Sequence, residues 1–197
     1  MKYQPLREIK SLFFSYHEVA ERLNIQIDSA RVLCSRYHSK GWLVRIKRNV
    51  YILKERWDNL RNGEIFQLAN VIQVPSYISL TTALAFYGYT TQIQQDFVES
   101  VCVTRTYDKT VLGVEFNYTK VSKEYCCHFE KVNGFFIATP EKSLVDALYL
   151  MSLGRYSLDF SALEISKFDG RSLEDILINY PDRVKKLWNN YEANRAT

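Results

Sequence analysis

The sequence predicts an α+β protein of two domains, and three observations lead to this prediction. Two short helical patterns and a β-rich run fill residues 16–53, and further helical patterns follow between residues 63 and 88. Three β-branched or aromatic runs then lie between residues 97 and 138, before helical patterns close the chain. Helices and strands in separate runs are typical of α+β folds. In a chain of 197 residues, 47% of them hydrophobic, we predict domains at residues 1–55 and 56–197.

The first helix is predicted to begin at Tyr16. Ser15 and Glu18 have the spacing of a capping box, in which each side chain satisfies the backbone N–H group of the other residue. Apolar residues then recur at helical spacing, namely Val19, Ala20 and Leu23. The pattern breaks at residues 24–26 and resumes near Ile27, which is the outline of a helix-turn-helix.

The second helix is predicted to bury one stripe and to leave the opposite face free. The apolar stripe consists of Ala30, Leu33, Cys34 and Tyr37. The opposite face presents Asp28, Val32, Ser35 and Ser39, flanked by Arg31 and Arg36. Small and basic side chains on one helix face suit contacts with base edges in a major groove. Gly41 is predicted to end the helix as a left-handed cap.

A β-hairpin with a cationic tip is predicted next. Residues 42–46 and 50–53 are β-rich, and Asn49 between them tolerates a positive φ. Arg45, Lys47 and Arg48 cluster near the turn, where each phosphate that they neutralise would release counterions. A capped helix, a turn, a second helix, a glycine stop and a cationic hairpin in this order predict a winged helix-turn-helix domain.

The charge distribution agrees with a nucleic-acid-binding N-terminal domain. Residues 1–53 contain ten Lys/Arg and four Asp/Glu, a net charge of +6, whereas the remaining residues carry −2 and the whole chain +4. We therefore predict that this domain binds double-stranded DNA, with the second helix at base edges and the hairpin at phosphates. The predicted DNA-binding residues are Gln26, Ser29, Arg31, Val32, Ser35, Arg36, Lys40, Arg45, Lys47, Arg48 and Asn49.

The second domain is predicted to combine a small antiparallel sheet with flanking helices, after a polar connection at residues 54–62. The helical patterns cover residues 63–72, 79–88, 140–149, 172–179 and 183–191. The β-rich runs cover residues 97–103, 114–118 and 135–138. Thr139 and Pro140 have the types favoured at the N-cap and first position of a helix. The last helix carries Arg183, Lys185 and Lys186, which fit either an amphipathic closing helix or an RNA-binding surface.

The cysteines indicate neither a metal nor a cofactor. Cys34, Cys102, Cys126 and Cys127 show no CxxC spacing, so we predict no zinc site and reduced thiols. The first ten residues lack the apolar stretch of a signal peptide, and no run approaches the roughly 18 apolar residues of a membrane span. We predict a cytoplasmic protein without membrane contact.

Three segments in order give the chain a resemblance to the AbiEi family of type IV antitoxins. They are Gly41–Tyr51, with its Gly-Trp-Leu start and Val-Tyr end; Tyr77–Gly88, similar to the family's serine-to-ALxxxG helix; and Thr139–Asp146, similar to its EKALLD segment. Asn49 stands where the family often has glycine, and Ser143 where alanine is common. The resemblance implies a repressor that binds promoter repeats of its own two-gene operon. It also implies a C-terminal domain that opposes a nucleotidyltransferase-like toxin in abortive infection by phage.

We predict no enzymatic activity, although alternatives stay open. Of the best catalytic candidates, Glu141, Lys142 and Asp146, the last two have the spacing of a surface ion pair. The first alternative is a metal-dependent nuclease with a winged-helix targeting domain, for which Asp96, Glu99, Glu115 and Lys120 could loosely supply the acidic residues and the lysine. The second is a protein-interaction adaptor. The oligomeric state also stays open, because paired repeats accommodate monomers and palindromes favour dimers.

Overall fold

A computed structural model of the chain describes residues 3–195. The chain forms two compact units, which divide between Leu68 and Ala69. The division falls inside a helix, whereas the domain boundary predicted at residue 55 falls within the first unit. Residues 1, 2, 196 and 197, which belong to the predicted domains and include the cation Lys2, lie outside the described residues.

The first unit combines short helices with a two-stranded antiparallel sheet. Its helices are α1 (Gln4–Arg7), α2 (Tyr16–Leu23), α3 (Ile27–Ser39), α4 (Lys54–Trp57) and the first part of α5 (Asn62–Ile72). Its strands are β1 (Leu43–Lys47) and β2 (Val50–Leu53), which together we call the hairpin, residues 43–53. The segment predicted to be an irregular connection thus contains α4, whose Trp57 is buried.

Local signals set the ends of α2 and α3 as predicted. The backbone N–H group of Ser15 donates to the Glu18 carboxylate at 2.8 Å, and that of Glu18 donates to the Ser15 hydroxyl at 3.3 Å. This capping box starts α2 at Tyr16. Gly41 has a φ of +71°, and the N–H of Trp42 donates to the Tyr37 carbonyl at 2.9 Å, so α3 ends in a left-handed turn.

The core of the first unit lies between α2, α3 and the hairpin. Its fully buried members include Leu6, Phe14, Val19, Ala30, Cys34 and Leu43. Burial raises the pKa of the Cys34 thiol to about 11, so that thiol stays protonated at neutral pH. Phe14 extends the small sheet, because its backbone N–H and C=O groups each bond to Tyr51 at 2.9 Å.

The second unit combines a six-stranded sheet with helices. Its strands are β3 (Ser76–Ile78), β4 (Phe97–Cys102), β5 (Tyr107–Val111), β6 (Val114–Lys120), β7 (Phe129–Val132) and β8 (Phe135–Ala138). Its helices are the end of α5, α6 (Leu80–Phe86), α7 (Pro140–Ser152), α8 (Gly170–Leu177) and α9 (Asp182–Arg195). Short 3-10 turns occur at Lys123–Tyr125, Phe160–Ala162 and Ile165–Lys167. The α+β fold class predicted from the sequence is confirmed.

The prediction of a small antiparallel sheet in this unit is wrong. The sheet is mixed and has the order β5-β6-β4-β3-β8-β7, with β4 parallel to β6 and β3 parallel to β8. The sequence predicts none of β3, β5 and β7, because these strands are short and show no clean apolar alternation. One local signal does mark β7 and β8: Asn133 and Gly134, with φ of +48° and +91°, form the two-residue turn between these strands.

Helix α7 is the centre of the second core. Thr139 caps it by accepting a hydrogen bond from the backbone N–H group of Lys142 at 3.3 Å, as its N-cap position predicted. Every side chain from Lys142 to Leu150 is buried, so the helix packs on all sides rather than along one stripe. α6, α8 and α9 contact it. No helix within residues 3–195 has both the length and the apolar composition needed to cross a membrane.

Candidate nucleic-acid interface

The free side of α3 carries most of the residues predicted to contact bases. We define the outer face of α3 as Asp28, Ser29, Val32, Ser35 and Arg36, all of which are exposed. The opposite side buries Ala30, Cys34 and Tyr37 in the first core. Gln26 is the N-cap residue, although its side chain forms no capping hydrogen bond. Within its own unit, α3 thus presents small, polar and cationic groups to the outside.

A groove of about 560 Å³ runs beside this face. It is lined by Ile25, Asp28, Ser29, Val32, Leu33 and Arg36. Ile25 was not among the predicted site residues, although its place in the turn between α2 and α3 was a signal for it. The lining combines three apolar side chains with two charged groups and a hydroxyl, so it can accept a ligand with both apolar and polar edges.

Two of the predicted cations at α3 already have partners. The Arg31 guanidinium forms an ion pair with Asp28 at 2.9 Å, and both side chains are exposed. Lys40 is the C-cap residue, and its Nζ lies 5.0 Å from the centroid of the Trp42 ring, in cation–π geometry. Arg36 forms no ion pair within residues 3–195. Arg36 is therefore the best placed of these three to contact a base.

The hairpin places three further cations near its turn. Arg45 lies on β1 opposite Tyr51 of β2, and the register shifts between Arg45 and Lys47 through a bulge. Arg45 and Arg48 are exposed and Lys47 is half-buried. A bulge increases the local twist of a strand and redirects the side chains beside it.

Asn49 has a structural role that its place in the turn does not predict. Its φ is +59°, as predicted for a turn residue. Its side-chain Oδ1 accepts a hydrogen bond from the backbone N–H group of Tyr16 at 2.9 Å. That N–H group is one of those left without a partner at the start of α2. Asn49 therefore ties the turn of the hairpin to the first turn of α2.

We expect Asn49→Ala to lower the free energy of unfolding of the first unit by about 2 kcal/mol, because it removes this hydrogen bond and places a Cβ in the left-handed region. Asn49→Gly should cost only about 1 kcal/mol, since glycine adopts positive φ freely. Hydrogen exchange of the hairpin amides measures both changes, with Arg48→Ala as the neighbouring control. Equal losses for alanine and glycine would show that the conformation of residue 49 has no energetic role.

Of the described cations of the first unit outside α3, its C-cap and the hairpin, three have carboxylate partners, and Lys10, Arg56 and Arg61 have none within residues 3–195. Arg7 pairs with Glu55 at 2.6 Å, Arg22 pairs with Glu8, and Lys54 pairs with Asp58. By contrast, the following side chains form no ion pair within residues 3–195: Arg36, Lys40, Arg45, Lys47 and Arg48. Five cations without carboxylate partners thus belong to α3, its C-cap and the hairpin.

The four residues considered for a nuclease do not form one site. Glu99 and Glu115 lie on the neighbouring strands β4 and β6, but Glu99 is buried and Glu115 is exposed. Glu115 and Lys120 are five positions apart on β6, so they point to opposite faces of the sheet. Asp96 is exposed before the start of β4.

Glu99 is instead part of a buried polar network. Its carboxylate accepts hydrogen bonds from the backbone N–H group of Thr82 at 3.3 Å and from the side chain of Gln94 at 3.1 Å. Burial raises the pKa of Glu99 above its ordinary value of 4.5. The Glu99 carboxylate therefore stabilises the packing of α6 against β4.

The prediction that Lys142 and Asp146 form a surface ion pair is wrong. The two side chains do form an ion pair at i, i+4 spacing, but both are fully buried. The Lys142 ammonium also donates to the Tyr180 hydroxyl at 2.6 Å. The Asp146 carboxylate accepts from the hydroxyls of Tyr77 at 3.0 Å and Ser79 at 2.8 Å. The pair is buried because α7 packs on all its sides, which its sequence pattern did not reveal.

This buried cluster, consisting of Tyr77, Ser79, Lys142, Asp146 and Tyr180, satisfies its own polar atoms. Burial raises the pKa of both tyrosine hydroxyls above 10, and the Asp146 carboxylate raises it further. Both hydroxyls therefore remain protonated at neutral pH. Ser79 is the N-cap residue of α6, but its hydroxyl makes no capping bond and donates to Asp146 instead.

The chain is an α+β protein with a two-stranded antiparallel sheet and a larger mixed sheet. A similar fold occurs in the crystal structure of the RV2827C protein from Mycobacterium tuberculosis, with a TM-score of 0.60 over 92% of this chain and 71% of that chain. The two sequences are 12% identical, so this likeness concerns the fold alone. The sequence matches no protein-family model and no curated protein.

Proposed function

We propose that this protein is a sequence-specific DNA-binding regulator whose first unit is a winged helix-turn-helix domain. In this proposal α3 enters the major groove with its outer face, and the hairpin contacts the sugar-phosphate backbone beside it. The protein acts in the cytoplasm and without catalysis. Base contacts would come from α3, and contacts that hold the register would come from the hairpin.

One observation carries the proposal. Within residues 3–195, five cations on α3, its C-cap and the hairpin form no ion pair. Of the other described cations of the first unit, Arg7, Arg22, Arg31 and Lys54 form ion pairs, and Lys10, Arg56 and Arg61 form none. A cation that forms no ion pair within the protein can neutralise a phosphate without first breaking such a pair. Phosphate neutralisation releases counterions and gives affinity that falls with salt.

The test is binding to duplex DNA from the region upstream of the protein's own gene, titrated against salt. Lys47→Ala/Arg48→Ala should weaken binding to every duplex and reduce the slope of log K against log salt by about one to two units, because two phosphate contacts are lost. A matched control is Lys131→Ala/Arg171→Ala, which removes two exposed cations of the second unit. An unchanged slope in the hairpin variant would contradict the role of its cations.

The finer form of the proposal is an antitoxin that represses its own operon through promoter repeats and opposes a nucleotidyltransferase-like toxin. It is supported by the three segments that resemble the AbiEi family. Two of these segments meet in space, because Tyr77 and Ser79 of the second segment donate to Asp146 of the third. The second and third segments thus take part in the core of the second unit.

The antitoxin function requires a nucleotidyltransferase-like gene beside this one, and co-expression of the two tests it. We expect this protein to relieve the growth defect that the neighbouring gene product causes. Lys47→Ala/Arg48→Ala should retain that relief while losing repression of a promoter fusion, since its substitutions affect the hairpin alone. Growth inhibition that persists with the wild-type protein would refute the antitoxin function and leave DNA binding as a separate matter.

A further inference from the structure

The outer face of α3 contains one apolar side chain among its five residues. Val32 is 56% exposed. Helical geometry surrounds it with Asp28 and Ser29 one turn before and with Ser35 and Arg36 one turn after. The serine side chains are short, so they allow a flat ligand edge to approach Val32 closely. An exposed valine at the centre of a polar face suits a partner that has an apolar group set among polar ones.

The charged side chains near Val32 indicate the class of partner that this face binds. Arg36 on the same face and the three cations of the hairpin form no ion pair within residues 3–195. A protein partner would be expected to meet a continuous apolar patch at the centre of an interface. A nucleic-acid duplex offers phosphates for the cations and, in its major groove, one apolar group among hydrogen-bonding atoms. That group is the C5-methyl of thymine.

We infer that Val32 contacts a thymine C5-methyl group, so the preferred DNA sequence has an A·T pair at the position that faces Val32. The inference rests on the proposed DNA-binding function and specifies one base pair of its target. The groove beside Val32 supports it, because Ile25 and Leu33 extend the apolar surface that a methyl group would cover. Arg36, one turn further on, would then contact the neighbouring base pair.

The experiment first selects preferred duplexes from a pool with a randomised central segment. In the selected duplex, each thymine is then replaced singly by deoxyuridine, which removes the C5-methyl and leaves base pairing and phosphates unchanged. One replacement should weaken binding by wild-type protein about fourfold, the value of one buried methyl-sized group. Val32→Ala should bind the thymine duplex about as weakly as wild type binds that uracil duplex, and should lose nothing further on replacement.

Val74→Ala is the matched control, because Val74 is a 64% exposed valine of the second unit. It should retain the fourfold preference for thymine. If wild-type protein bound every uracil duplex as tightly as the thymine duplex, and its affinity still fell with salt, the thymine contact would be overturned and the proposed function would stand. If replacement of thymine by deoxyuridine weakened binding by Val32→Ala about fourfold, as in wild type, the contact would also be overturned, since another residue would then contact the methyl group. Failure of the pool to yield any bound duplex would overturn both.

Discussion

Replacing Lys142 with methionine should lower the free energy of unfolding of the second unit by about 3–5 kcal/mol, because the substitution leaves a buried carboxylate without its counterion. The Asp146 carboxylate would keep its hydrogen bonds from Tyr77 and Ser79 but would lose the ammonium group. Asp146→Leu should lower the free energy of unfolding by a similar amount, since the Lys142 ammonium and three hydroxyl groups would lose their acceptor. Urea unfolding together with hydrogen exchange of the α7 amides would measure both losses in the second unit.

The double variant Lys142→Met/Asp146→Leu separates the charge from the hydrogen bonds. Replacement of both members of a buried pair by apolar residues is often close to neutral. Here the hydroxyls of Tyr77, Ser79 and Tyr180 would lose an acceptor, so we expect about half of the single-variant loss to remain. A loss in the double variant equal to the sum of the two single losses would contradict this account.

Lys54 and Asp58 provide a matched control at the same i, i+4 spacing. Their side chains are 40% and 50% exposed, so water already solvates both charges. Lys54→Met should change the free energy of unfolding by no more than about 0.5 kcal/mol. If it cost as much as Lys142→Met, burial would not be the reason for the larger effect. The comparison therefore tests the burial of the pair rather than its spacing.

The second large effect is expected at Arg36. Arg36→Ala should weaken binding to the preferred duplex by about 1–3 kcal/mol, or roughly 5- to 150-fold, if its guanidinium contacts a base. Binding to a scrambled duplex of the same length should change far less, because only the phosphate contacts operate there. The ratio of the two affinities, measured at one salt concentration, gives the change in specificity.

Arg61→Ala removes an exposed arginine of the same unit that lies outside α3 and the hairpin. It should leave that ratio unchanged. Arg31→Ala should have a smaller effect than Arg36→Ala, since its guanidinium already pairs with Asp28. Equal weakening of the preferred and scrambled duplexes by Arg36→Ala would place Arg36 at a phosphate instead of a base.

Part of the candidate site could be predicted from the sequence because its signals are local. The spacing of Ala30, Cys34 and Tyr37 identifies the buried side of α3 and hence the free side, where Val32 and Arg36 are exposed. The partners of the cations could not be predicted in the same way. The ion pair between Arg7 and Glu55 joins residues 48 positions apart, so no local pattern distinguishes Arg7 from an unpaired arginine.

Asn49 has one property that its local sequence predicts and another that depends on tertiary packing. Its positive φ followed from its place in a two-residue turn. Its hydrogen bond to Tyr16 spans 33 positions and depends on how α2 and the hairpin pack together. The DNA contact of Asn49 stays a prediction, and the structure adds that its side chain bonds to the N-terminus of α2.

Sequence patterns alone predict the α+β class, the starts of α2 and α7, the left-handed end of α3 and the exposed face of that helix. Each depends on hydrogen bonds or side-chain spacing within a few residues. The mixed order of the six strands and the burial of Lys142 and Asp146 become visible only in the folded chain. Strand order and burial depend on contacts between residues as far apart as Tyr77 and Asp146, 69 positions along the chain. Such contacts form only when the whole core has packed, so no short segment encodes them.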